Sequence, residues 1–582
     1  MCGIAGLLDH TRGANPSWID PFTDSLAHRG PDGRGTWCEG PVALGHRRLA
    51  ILDPSPLGAC PMPYTAPDGR TLRITFNGEI YNFLELREEL RRDGYQFRTE
   101  TDTEVIAAAW HRWGADAQLR FNGMWAFAMW DERARTLTLS RDRFGVKPLY
   151  LAFMGSTIAF ASEIKAFLAL PTFTRALNRQ AAEAYFTHPN AYDGISPDTA
   201  LQGVMRLPAG HSITITPDGT NGFVKWWNTT AHLPSVPSRY EEQVEQFREL
   251  FLDSVRLRMR SDVPIGTSLS GGLDSSSVAS GMAAVARDSH WSLDRCASDW
   301  QRTFIASFPG HPVDEREFAD LVVAHTGAKP TYWNFQQATA LRSLAASVYA
   351  LDDLSAAPAV PVLNIYKTMR ENGVVVTLDG HGGDELLAGY SWYRDQPLSQ
   401  LNDLLDRDFH TTHLPVILRN YDGCSMASGV EVRSPFLDWR LVTYSMALPP
   451  DAKLDPTYTK RILRDALVGI LPDGIRTRTT KFGFESPLVA WANGPLGTVL
   501  RAASQTDIWR SAPAAAQPTE VAAVVQQRTA TRPHGFTEAD RVAVAFAYRL
   551  LTYVLWCEHY TDVGDRRITR MVGSPASMQR AS

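Results

Sequence analysis

The stretch Asp262-Val-Pro-Ile-Gly-Thr-Ser-Leu-Ser-Gly-Gly-Leu-Asp-Ser-Ser-Ser-Val-Ala279 decides the fold. Val263 to Leu269 is an apolar run of strand length. Gly271 and Gly272 permit torsions closed to other residues, and Ser276 to Ala286 is rich enough in Ala to continue as helix. Strand, glycine turn and helix in that order suit a phosphate. The turn's N–H groups and the roughly +0.5 charge at the helix N-terminus attract pyrophosphate oxygens, and Asp274 is placed to hold an accompanying Mg²⁺. The string lacks the Gly-Lys-Ser/Thr ending of a Walker A loop.

Taken whole, Ser270-Gly-Gly-Leu-Asp-Ser-Ser276 resembles the PP-loop of ATP pyrophosphatases, which cut ATP between the α and β phosphates and leave AMP on the substrate. That resemblance implies ATP contacts at Leu269, Ser270, Gly271, Gly272, Asp274, Ser275 and Ser276. Upstream, Glu241 to Arg260 reads as an amphipathic helix with Val244, Phe247, Phe251 and Val255 near one face. Downstream, Thr303 to Phe308 is a second strand whose end meets adenine in such proteins. The resemblance therefore implies Ser307 and Phe308 as ATP contacts, the alternative being plain core strand. A third strand, Gly373 to Leu378, runs into Asp379-Gly-His-Gly-Gly-Asp-Glu385. Parallel α/β sheets bind ligands at the carboxyl ends of their strands, so three such junctions converging on one crevice are what a nucleotide requires. By the resemblance Gly380 contacts ATP and Asp384 joins Asp274 on Mg²⁺; a solvated loop carboxylate is the alternative for each.

The N-terminal half begins Met1-Cys2-Gly3, and a small second residue permits removal of the initiator methionine. Cys2 would then carry a thiol and a free α-amine, with reference pKa values near 8.5 and 8, so that nucleophile and base sit on one residue. His28 to Gly33, Leu44 to Asp53, Phe76 to Asn82 and Thr101 to Val105 follow. Their guanidinium, carboxylate and amide groups are those needed to hold glutamine by its amino-acid end while a thiolate attacks its amide. Order and spacing resemble class II glutamine amidotransferases. The resemblance implies Cys2 as nucleophile, Arg48 on the glutamine carboxylate, Asn77 and Gly78 as oxyanion hole, and Glu79 and Asp102 on the α-ammonium. Read alone, Asn77-Gly78 between apolar runs is first a hairpin-turn signal, and Arg29 and Arg47 are equally readable as structural. Leu72 to Phe76, Met124 to Trp130 and Thr136 to Ser140 read as strands, and Phe83 to Arg92 and Glu104 to Trp113 as helices. Leu207 to Trp227 reads as a closing hairpin, and Arg141 to Tyr150 with Phe160 to Lys165 as packing or interface segments.

Both halves together resemble glutamine-hydrolysing asparagine synthetases and their relatives, from Met1 to about Tyr560. The fold expected is an N-terminal αββα Ntn-hydrolase domain over 2–231, a linker over 232–240, an α/β adenine-nucleotide synthetase domain over 241–562, and a disordered tail over 563–582. In the family the segment Ser425 to Asp438 frames the acyl-acceptor pocket. Lys460 neutralises the leaving pyrophosphate and the acyl-adenylate, and Arg464, one turn on, offers a second cation. The last helix is expected near Glu538 to Tyr560, opened by the capping pattern Thr537-Glu-Ala-Asp540.

The mechanism implied is ATP-driven adenylation of a carboxylate, release of ammonia from glutamine at Cys2, and passage of that ammonia through a dry interface to the adenylate. One departure stands out: His381 occupies the place where synthetases carry a glutamate as base for ammonia. Neutral imidazole, with a reference pKa near 6.5, can accept that proton or can merely reshape the pocket. The acid is thus open between aspartate and a related one. An amide ligase using another amine is the second functional class, and a non-catalytic relative the third, whose mark would be loss of Cys2, Asp274 or Asp384.

Composition agrees with an ordinary globular enzyme. The 582 residues are 44% hydrophobic and 21% charged with a net charge of -5, which gives no attraction to nucleic acid and implies more than one domain. The six cysteines form no CxxC pair, so neither a zinc site nor a disulfide framework is suggested, and a reducing cytoplasm is expected. No membrane span or signal peptide is expected. Oligomeric state is open, a homodimer included.

Overall fold

Side-chain alternation with period two separates the layers of the N-terminal half. In strand Gly3–Leu8, Ala5 and Leu7 face one core while Ile4 and Leu8 face another. In strand Gly123–Asp131, Trp125, Phe127 and Met129 point one way and Ala126, Ala128 and Trp130 the other. Ile4, Leu8, Ala126, Ala128 and Trp130 share one core, so a six-stranded and a seven-stranded sheet pack face to face on it. Helix Pro16–Asp24 covers the outer face of the first sheet through Ile19 and Phe22. Helices Phe83–Arg92 and Asp102–Trp113 cover the second through Phe83, Leu86, Val105 and Ile106. This is the αββα sandwich expected. In this computed structural model residues 1–355, 357, 359–480, 488–528 and 538–573 are described.

The second domain follows residues 233–239, which carry neither helix nor strand. Helix Tyr240–Arg258 buries Phe247, Phe251 and Val255 against the core of a five-stranded parallel sheet. In that sheet the strands lie in the order Lys329–Asn334, Arg302–Ser307, Ile265–Ser268, Val376–Leu378 and Glu431–Arg433. Chain order runs outward one way from Ile265–Ser268 and then restarts on its other side at Val376–Leu378. The crevice at a doubly wound sheet's switch point therefore opens between these two strands, where the PP-loop and the His381 loop leave the sheet.

Two local expectations change. Asn77-Gly78 is no turn: both lie inside the continuous strand Thr71–Ile80, paired with Ala126 and Trp125. The tail expected to be disordered from 563 instead continues into helix Arg567–Val572, because Ile568 and Val572 have a core to enter and Glu558 accepts from the N–H groups of Ile568 and Thr569. Residues 574–582 lie outside those described. Helix Glu538–Tyr560 is present, while Thr537 of its capping pattern lies outside the described residues. No helix among the described residues is long and apolar enough to cross a membrane.

Candidate functional site

Two cavities gather the expected site residues, one in each domain. At the first, Phe76, Gly78 and Glu79 of strand Thr71–Ile80 join Cys2 and Arg48 around a cavity of about 40 Å³. The Cys2 N–H donates to Asn77 Oδ1 at 3.0 Å, and the Asn77 Nδ2, fully buried, has no hydrogen-bond acceptor. A buried amide donor with nothing to donate to costs free energy until an oxygen arrives, which suits an oxyanion. The Arg48 guanidinium is held by the carbonyls of Ser55 at 2.7 Å and Asp53 at 2.5 Å, so its charge is positioned without being neutralised. It can meet an incoming carboxylate.

Glu79 and Asp102 carry the opposite charge. Burial and mutual repulsion hold the Glu79 carboxyl well above its ordinary range, and burial pushes Asp102 up to about 6 despite the Ile80 N–H it accepts at 2.8 Å. Glu79 Oε1 has no donor, whereas Oε2 accepts from Arg433 of the second domain at 2.9 Å. Two reluctant carboxylates facing a small cavity attract an ammonium group. The Cys2 thiol is likewise pushed up by burial, with the chain's α-ammonium opposing that shift. That ammonium belongs to Met1 and pairs with Glu431 at 2.8 Å. His46, whose buried ring is pushed down to about 4, is neutral beside them.

Arg29 and Arg47 differ. Arg29 is fully buried and braces the domains, donating to Glu163 at 2.8 Å, to Asp422 at 2.9 Å and to the Cys2 carbonyl at 3.1 Å. Arg47, half-buried, donates to the exposed Asp24 at 3.4 Å.

The second site is a cavity of about 330 Å³ at the switch point. Helix Leu273–Arg287 starts directly after Gly272 with no side-chain cap, leaving its first N–H groups for a ligand. Gly271 adopts φ +80, open to glycine at little cost. Ser270, Gly272, Asp274, Ser275, Gly380, His381, Asp384 and Lys460 all line the cavity. Asp379 ties the two loops, accepting from the Ser268 N–H at 3.1 Å, Thr377 Oγ1 at 2.7 Å and Tyr366 OH at 2.6 Å.

Lys460 Nζ bridges Asp274 at 2.5 Å and Asp384 at 2.6 Å. It is brought there by a left-handed backbone, φ 55 and ψ 38, unusual for a side-chain-bearing residue. Gly389 makes the approach possible, since a Cβ there would lie 1.9 Å from Asp384 Oδ1 and 2.1 Å from Lys460 Cε. These carboxylates raise the pKa of Lys460 over the opposing effect of burial.

Other expected contacts lie elsewhere. Leu269, Gly271 and Ser276 do not line the cavity, and Ser307 donates to Asp314 at 2.9 Å while Phe308 packs on Phe335 with ring centroids 5.3 Å apart. Glu431 and Arg433, in the segment expected to frame the acceptor pocket, turn instead toward Met1 and Glu79. Glu315 and Arg478, paired at 2.7 Å, also line the cavity; no motif singled out Arg478.

Residues 1–227 match the glutamine amidotransferase domain family, and residues 246–403 and 397–547 match asparagine synthase. The chain belongs to the asparagine synthase family. It is 31% identical over 536 residues to glutamine-hydrolyzing asparagine synthetase 3 of Bacillus subtilis, covering 82% of this chain and 86% of that one. To the synthetase numbered 1 of the same organism it is 29% identical over 599 residues, covering 88% and 91%. To asparagine synthetase 2 of Arabidopsis thaliana it is 32% identical over 468 residues, covering 78% and 72%. Among asparagine synthases, then, this chain joins an amidotransferase domain and a synthetase domain through buried ion pairs: Arg433 with Glu79, Arg29 with Asp422, and Arg206 with Asp353 at 2.7 Å.

Proposed function

We propose that this chain amidates a carboxylic acid, spending ATP to AMP and pyrophosphate and taking ammonia from glutamine, with the acid open between aspartate and another one. The observation that carries this reading is the Lys460 ammonium bridging Asp274 and Asp384 beside the PP-loop, in a chain whose other domain holds Cys2 against Asn77. Two carboxylates that share one cation can share another. Asp274 and Asp384 would hold Mg²⁺, which when bound supplies charge neutralisation at the polyphosphate. Lys460, at the same carboxylates, would offer its ammonium to the pyrophosphate oxygens.

At the first site, removal of Met1 exposes the Cys2 amine as base for its own thiol. Arg48 holds the glutamine α-carboxylate, and Glu79 with Asp102 holds the α-ammonium. The Asn77 amide and Gly78 receive the oxyanion as sulfur adds to the side-chain carbonyl, and the thiol proton leaves with ammonia. Ammonia would cross the apolar cluster of Tyr81, Met124, Leu257 and Met426, which lies between the domains. At the second site burial lowers the pKa of His381, so its neutral ring can take the proton that ammonia loses on attacking the adenylate.

The test is pyrophosphate release from the full chain against a panel of carboxylates with glutamine or ammonium salt as donor. Release that depends on an acid, with AMP formed in equal amount, supports the reading; ADP and phosphate instead would refute it.

A further inference from the structure

We propose that the acid activated here has an apolar body, branched aliphatic or aromatic, rather than the charged body of aspartate. The inference rests on the amidation reading and concerns the end of the 330 Å³ cavity beyond the His381 loop. Among the described residues that end is lined by Val362 and Ile365 of helix Val360–Glu371, by Ile417 and Tyr421 of helix Leu414–Met426, and by His381. His381 lies against Tyr421 with ring centroids 3.8 Å apart, so the imidazole presents a flat, uncharged wall.

Aspartate needs more than that. Beyond the reacting carboxylate it carries an α-carboxylate and an α-ammonium, and taking both out of water without partners is costly. The charged groups that line the cavity are engaged by partners within the protein, Asp379 by Ser268, Thr377 and Tyr366. Lys460 bridges Asp274 and Asp384, and Arg478 pairs with Glu315. Arg464 donates to the carbonyls of Thr459 at 2.8 Å, Arg476 at 2.5 Å and Arg478 at 2.9 Å. Glu385 accepts from Tyr390 OH. An alkyl or aryl group set on Ile365, Ile417 and Tyr421 gains burial instead. Its carboxylate oxygen would attack the α-phosphorus of ATP, and the bond to the bridging oxygen would break, with its electron pair leaving on pyrophosphate.

The experiment is ATP–pyrophosphate exchange on the full chain with isovalerate, phenylacetate and 3-phenylpropionate against aspartate and glutamate at equal concentration. Exchange with at least one apolar acid roughly 10–100-fold above aspartate is expected. Aspartate equalling or exceeding every apolar acid overturns the inference and leaves the amidation reading standing. Exchange with no acid of either kind overturns both. In Ile417→Arg the ratio of the best apolar acid to aspartate should fall at least about tenfold; the ratio is independent of the folded fraction, and an unchanged ratio overturns the inference.

Discussion

The pocket at Cys2 and the cavity at the PP-loop solve the same electrostatic problem in opposite ways. Both bring acidic side chains toward a point where a ligand must bind. At the PP-loop the chain supplies its own counter-ion, Lys460 on Asp274 and Asp384. At Cys2 two carboxyls, Glu79 and Asp102, are left above their ordinary range by burial, and Arg48 is held only by carbonyl oxygens. The first arrangement is balanced by a cation of the chain itself. The second is a small mould of charge for a zwitterion, complete only when one is bound.

If the two sites are separate machines joined by diffusing ammonia, the largest expected effect falls on one alone. Cys2→Ala should reduce glutamine-driven amidation by roughly 10⁴-fold or more while ammonium-driven amidation stays within about twofold. Loss of both in parallel, measured as AMP formation with each donor, would contradict the separation.

The two sites are nonetheless tied by Arg433, which serves Glu79 on one side and Glu431 at 2.6 Å on the other. In Arg433→Leu the buried Glu79 loses its ion-pair partner and Glu431 keeps only the α-ammonium, so a destabilisation of about 3–5 kcal/mol is expected. Chemical denaturation followed by tryptophan fluorescence reads it, and an unmoved midpoint would show that the pair does not hold the domains together.

Lys460→Ala acts on the other side of the comparison. It should lower amidation by roughly 10²–10³-fold with either ammonia source, because charge on the departing pyrophosphate loses its partner, while glutamine hydrolysis continues. Equal turnover in wild type and variant would remove Lys460 from the mechanism.

The smallest effect is in pH. Asp102 titrates at about 6, above the ordinary carboxyl range, so it is charged above that pH and neutral below it. Its attraction for the glutamine α-ammonium is therefore full at pH 7–8 and fades as pH falls. KM for glutamine should rise below about pH 6, approaching tenfold per unit, and Asp102→Asn should abolish that dependence. KM measured between pH 5 and 8 in both proteins decides it.

Much of this was legible in the residues. Val263 to Ala286 gave strand, turn and helix because glycine torsions and helix N–H groups act locally. The helix Phe83–Arg92 and the strand Thr136–Arg141 follow from periodicity alone. Asn77-Gly78 reads locally as a turn, yet pairing with Ala126 and Trp125 on one neighbouring strand draws it into a continuous strand. Chain 563–573 looked too polar to order, and the core that accepts Ile568 and Val572 is built by helices hundreds of residues earlier as well as nearby.

By itself, then, the sequence pointed to two chemistries, a nucleophile at Cys2 and a phosphate loop at Ser270, each read from a few consecutive residues. Only the tertiary structure decided how charge is balanced around them. Lys460 lies 186 residues from Asp274, and Arg433 lies 354 residues from Glu79. No local propensity specifies such pairs, because a buried ion pair forms where two surfaces close and exclude water, which the folded domains alone can arrange.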